Sequence, residues 1–213
     1  MKIIRRKTVL KTTLLASLAL VFSQSVFAAD DKAKKAKPEL LMGANATMIA
    51  NTCAGCHGTN GASAGPSIPT LAGMSSAYLV ETMEGYKSGD IPSTIMGRLA
   101  KGYTSEEFAL MGGFFAKQKY VALAGQKADE TKAAEGAKLH EKYCEKCHSE
   151  NGTVADDDSG FLKGQTKSYL VAQMMDYQNK DRKASKKMAK KMKKLHKKHG
   201  PAGFEALIEY YAK

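Results

Sequence analysis

The chain has 213 residues, with 33 Lys and Arg against 21 Asp and Glu and only four cysteines. Five cations fall in the first 28 residues, so the remainder carries +7 (28 − 21). Eleven of those cations stand between residues 180 and 198 against one acid, which leaves the rest of the chain near −3 and makes the basicity local.

In chain order, residues 1–28 read as a secretory signal peptide. Lys2, Arg5, Arg6, Lys7 and Lys11 form a basic start, residues 14–21 a short apolar run, and Val26-Phe27-Ala28 a small-residue cleavage site near Ala28 and Ala29. The run is too short to serve as a transmembrane anchor. The expected location is the periplasm, and an exported chain is not a nucleic-acid partner. Residues 29–39 are a charged leader. Helices are expected over residues 40–52, 78–86 and 105–117, with loops between them where Gly, Pro, Ser and Asn gather, residues 92–96 included. Residues 119–129 form a linker. The sequence thus divides into a first domain over residues 40–118 and a second over 130–213.

The two halves carry the same pattern. Cys53-Ala54-Gly55-Cys56-His57 returns 91 positions later as Cys144-Glu145-Lys146-Cys147-His148. Asn60-Gly61, Gly73, Tyr78-Leu79-Val80, Met83 and Tyr86 return at the same offset, as Asn151-Gly152, Gly164, Tyr169-Leu170-Val171, Met174 and Tyr177. Phe114-Phe115-Ala116-Lys117 returns as Tyr210-Tyr211-Ala212-Lys213 at an offset of 96, so the additional residues lie in or beside the basic stretch. Such repetition marks a duplicated module.

Cys-x-x-Cys-His is the attachment signature of a c-type haem. Two thiols one helical turn apart match the two vinyl groups of the porphyrin, and the histidine that follows is the proximal iron ligand. The two motifs use every cysteine in the chain. Two cysteine pairs 91 residues apart do not fit a zinc knuckle, and no strand-rich pattern suggests a thioredoxin-like pair. Each module is small for an apolar core alone, and a buried porphyrin supplies the missing core. With no alternating apolar and polar stretch, the expected fold is all-α, as two tandem class I cytochrome c domains.

A distal ligand is expected from methionine. Met96 lies 39 residues after His57, beside Pro92 and Gly97, and Met188 lies 40 residues after His148. Met192, His196 and His199 are alternates to Met188, and a helix through them presents only one face. The basic stretch over residues 180–198 reads as a solvated helix face or as a docking patch for an acidic partner.

The order of the haem motif, Leu71-Ala72-Gly73, Tyr78 and Met96, then the same again, resembles the di-haem cytochrome c4 type. Residues 93–104 (Ser-Thr-Ile-Met-Gly-Arg-Leu-Ala-Lys-Gly-Tyr-Thr), 138–149 (Lys-Leu-His-Glu-Lys-Tyr-Cys-Glu-Lys-Cys-His-Ser) and 186–191 (Lys-Lys-Met-Ala-Lys-Lys) resemble the cytochrome subunits of flavocytochrome c sulfide dehydrogenases. That resemblance implies two covalent haem c groups, held through Cys53, Cys56, Cys144 and Cys147, with axial pairs His57 with Met96 and His148 with Met188. It also implies a heterodimer with an FAD-bearing subunit that oxidises sulfide, and a downstream electron acceptor. No catalytic site is expected on this chain itself. A free di-haem carrier serving a terminal oxidase is the alternative.

Overall fold

The structure, a computed structural model, describes residues 44–156 and 159–213. The signal peptide, the leader and the first residues of the helix expected over 40–52 lie outside the described residues.

The first module contains α1 (Ala46–Asn51), α2 (Ala54–His57), α3 (Ser76–Ser88), α4 (Met96–Ala100) and α5 (Ser105–Ala116). The second contains α6 (Glu130–Tyr143), a single turn α7 (Ser149–Gly152), α8 (Lys167–Asn179) and α9 (Lys186–Ala212). Among the described residues the only β-pairing is an isolated bridge between Asp156 and Ser159. Both modules are thus all-helical, as the absence of alternating patterning implied.

Local chemistry sets the helix starts. Asn45 caps α1 through the Met48 amide. At α5 the Thr104 hydroxyl accepts from the Glu107 amide at 3.2 Å while the Glu107 carboxylate accepts from the Thr104 amide at 2.8 Å, a reciprocal pair that satisfies two end donors at once. Asp129 caps α6 through the Lys132 amide. α9 breaks at Gly200 (φ 60°), followed by Pro201, so it is physically two helices that take the places of α4 and α5.

Two apolar cores form, one per module. In the first, α3 and α1 pack on α5 around Ile49, Leu79, Phe108, Met111 and Phe115. In the second, α6 packs on α9 around Leu139, Leu195, Phe204, Leu207 and Tyr211. Burying a side chain such as Phe108 contributes about 2–3 kcal/mol.

The duplication extends to individual hydrogen bonds. The carbonyl of Gly61 accepts from the amides of Leu71 and Ala72, and the carbonyl of Gly152 from those of Leu162 and Lys163. Gly73 donates to the carbonyl of Phe115, and Gly164 to that of Tyr211. Gly61 and Gly152 have φ of 79° and 80°, a region open to glycine; a Cβ on Gly61 would strike the Phe115 ring at 2.8 Å, and one on Gly152 would crowd the Tyr211 ring at 3.2 Å. The same turn is built twice from the same residue.

One expected loop is partly helical. Residues 92–96 end on Met96, which is already the first residue of α4, because the Ser93 hydroxyl accepts from the Gly97 amide at 2.6 Å and starts the turn.

Candidate functional site

Each Cys-x-x-Cys-His motif is one turn of helix. The amides of Cys56 and His57 donate to the carbonyl of Cys53 at 3.2 and 2.9 Å, and those of Cys147 and His148 to the carbonyl of Cys144 at 3.0 and 2.9 Å. Residues three apart on such a turn share a face, so the two thiols of each motif address one side of their module. All four thiols are free of disulfides; Cys56 and Cys147 are exposed, and Cys53 and Cys144 are half-buried. Burial pushes the thiols of Cys53 and Cys144 up, keeping them protonated.

His57 is buried, and its Nδ1 lies 2.8 Å from the carbonyl oxygen of Pro69. A carbonyl only accepts, so Nδ1 carries the hydrogen and Nε2 keeps the lone pair. Burial lowers the basicity of this imidazole, against the smaller opposing effect of the Pro69 carbonyl. The ring is thereby neutral and fixed in orientation, the state a metal ligand requires.

Met96 and Met188 occupy equivalent positions. Each stands three residues after a serine whose hydroxyl accepts a nearby amide: Ser93 from Gly97 at 2.6 Å, ahead of the Ile95 N-cap of α4, and Ser185, the N-cap of α9, from Met188 itself at 3.2 Å. Both methionines are half-buried. Met188, Met192, Leu195 and His199 share the inward face of α9, whereas His196 is exposed, its ring 6.0 Å from that of Phe204. Of the alternates, Met192 packs on the second core and His199 meets the Tyr143 hydroxyl at 3.5 Å. Ile95 and Leu99, on either side of Met96, leave about half of their surface open (53% and 49%).

In the first module, two thiols a turn apart, a neutral oriented imidazole directly after them, a thioether at a helix start and open apolar side chains make a donor set that fits haem c. The set is softer and more apolar than a calcium or magnesium site.

A cytochrome c family model matches residues 44–120. The cytochrome subunit of sulfide dehydrogenase from Chlorobaculum tepidum is 37% identical over 102 residues, which are 48% of this chain and 92% of that protein. The chain belongs to the cytochrome c family. Cytochrome c4 of Pseudomonas aeruginosa is 31% identical to this cytochrome over 138 residues, 60% of this chain and 67% of that one. The fold is that of the reduced cytochrome c4 from Pseudomonas stutzeri, with a TM-score of 0.64 at 24% identity over 78% of this chain and 95% of that chain. This cytochrome is therefore an electron carrier with covalent haem c, built as tandem class I domains.

The basic stretch divides in two. Lys191, Lys194, Lys197 and Lys198 line, with Lys142 and Tyr143, an open groove of about 590 Å³. Arg182 leaves the solvated run altogether: it is buried, bonded to Gln173 and Tyr78, and 5.1 Å from the centre of the Tyr177 ring. Burial pushes the phenols of Tyr86, Tyr169 and Tyr177 around it up.

The structure also brings together residues that sequence reasoning did not select. His140, 1% exposed, lies between Tyr211 and Glu145. Its signal was present in the repeat: at the matching positions the first module has Ile49, Phe115 and Ala54, all apolar.

Proposed function

We propose that this chain is the di-haem electron-transfer subunit of a periplasmic, flavin-dependent sulfide-oxidising complex. Its domains span residues 40–118 and 130–213, after a signal peptide cleaved near Ala28 and Ala29. In each domain the cysteine pair (Cys53 and Cys56, or Cys144 and Cys147) carries one haem c, and His57 with Met96, or His148 with Met188, holds the iron. The haem supplies one-electron chemistry when bound. The chain's own residues anchor it and, in the first domain, fix the imidazole through Pro69.

The observation that carries this reading is the 37% identity to a sulfide dehydrogenase cytochrome subunit over nearly all of that protein. That relative is shorter than two such modules together, since 102 residues make up 92% of it. The match to cytochrome c4 is longer, at 138 residues, and favours a second reading, a free di-haem carrier that passes electrons to a terminal oxidase.

Gentle purification from the native periplasm separates the two. Haem and flavin absorbance co-eluting at a mass well above that of the mature chain supports the complex. Haem eluting alone, near the mass of the mature chain, rejects it in favour of the free carrier.

A further inference from the structure

The duplication provides an internal control for any group that serves one module and not the other. At three repeat positions the first module places Ile49, Ala54 and Phe115, and the second places His140, Glu145 and Tyr211. Those three side chains form one chain of hydrogen bonds. His140 Nδ1 lies 2.8 Å from the Tyr211 hydroxyl, and His140 Nε2 bonds the Glu145 carboxylate. Tyr211 in turn hydrogen-bonds the sulfur of Cys144, an anchoring cysteine of the second motif. One end of the chain is wet, because the Glu145 side chain is 38% exposed, whereas His140 and Tyr211 are 1% and 4% exposed.

A buried histidine bonded at both nitrogens and reaching solvent through a carboxylate needs a reason, since an isoleucine fills the same place in the sister module. We propose that Glu145, His140 and Tyr211 form a proton relay that couples protonation to the redox state of the second module alone. The inference rests on the reading that the Cys144–His148 motif holds a haem.

Two hydrogen arrangements are open to the relay. With a neutral imidazole, Nε2–H donates to Glu145 and the Tyr211 hydroxyl donates to Nδ1. When one proton enters from water by way of Glu145, Nδ1–H donates to the Tyr211 oxygen, and the phenol hydrogen turns to the Cys144 sulfur. The net change is one proton taken from solvent and bound at His140. Positive charge at His140 and a new donor on the Cys144 sulfur both favour the reduced second module. By linkage, an electron in that module tightens proton binding at His140 by the same factor. The titratable groups facing the imidazole are Glu145 on the motif and Tyr210 and Tyr211 on α9, with Cys144 behind Tyr211 and Lys163 over the far Tyr210 ring. Burial raises both tyrosines, so they stay neutral.

Spectroelectrochemical titration of the full haem-loaded chain from about pH 5 to 8 tests the relay. One of two midpoint potentials falls as pH rises and the other stays level. Tyr211→Phe, which installs the first module's residue, and His140→Gln both remove the pH dependence while the chain keeps two haems. Two level potentials, two that fall together in the unaltered chain, or a slope that survives both substitutions overturns the proposal. Fewer than two haems per chain overturns the haem reading beneath it, and the relay with it.

Discussion

Gln165 holds the backbone of Thr70 from across the seam between the modules: its Oε1 accepts the Thr70 amide hydrogen at 3.0 Å and its Nε2 donates to the Thr70 carbonyl at 2.8 Å. Both residues are fully buried. The repeat partner of Gln165 is Met74, and that of Thr70 is Phe161. Met74 also reaches its opposite number, its sulfur accepting from the Phe161 amide at 3.4 Å. The same two repeat positions therefore meet twice, with the modules exchanged, as at a two-fold interface. Phe161 also stacks on Tyr120 at 3.9 Å, and Tyr120 donates to the Lys163 carbonyl at 2.6 Å. Thr70 directly follows Pro69, the residue that orients His57, so the seam bears on the first proximal histidine.

Gln165→Met, which makes the seam symmetric, leaves the Thr70 amide and carbonyl buried without their partner. Leaving a buried polar group unsatisfied costs about 1–3 kcal/mol. Chemical denaturation of the loaded chain is expected to show a loss of about 2 kcal/mol, with haem content unchanged. An unchanged midpoint would mean that the Gln165 amide does not tie the modules together.

Met188 and Met192 lie one turn apart on the same face of α9, and only Met188 stands, like Met96, three residues after a serine whose hydroxyl accepts an amide at the helix start. Met188→Ala is expected to abolish one of two long-wavelength thioether-to-iron absorption bands, and Met192→Ala to leave both. The reverse pattern would move the ligand one turn along the helix.

Acid stability follows from Glu145. The hydrogen bond from His140 holds its carboxyl below the usual range against the opposing effect of desolvation, and the Asn151 amide adds a lesser lowering. A carboxylate depressed in the folded state contributes stability above its unfolded value of about 4.3, and that contribution is lost as pH falls through the folded value. Solvent screening keeps it modest at this half-open position. Glu145→Gln is expected to lower the thermal midpoint at about pH 7 and to converge with the unaltered chain near pH 3. An equal gap at both pH values would locate the loss elsewhere.

Much of this architecture was legible in the sequence because two copies of one module constrain each other. The 91-residue offset aligned the haem motifs and the Gly61 and Gly152 turns, an offset of 96 aligned the aromatic ends of α5 and α9, and the structure repeats their hydrogen bonds. What escaped the sequence lies where the copies differ or where they touch. Arg182 reads as one more cation in a solvated run, yet loop geometry after Lys180 (φ 67°) folds it inward among tyrosines. His140 falls on the buried stripe of α6, where periodicity marks a core position without saying that a polar group fills it. Gln165 pairs with backbone, which no side-chain pattern reveals. Met96 reads as a loop residue because its helix lasts a single turn and is set by the Ser93 hydroxyl.

The central claim is that both motifs carry covalent haem. The intact mass of the mature chain after acid–organic extraction, paired with haem quantitation on the same sample, tests it most directly. The account requires two haems per chain that resist extraction, reduced to one when Cys144 and Cys147 are both replaced by alanine. Haem that extracts freely, or a single retained haem in the unaltered chain, would contradict it.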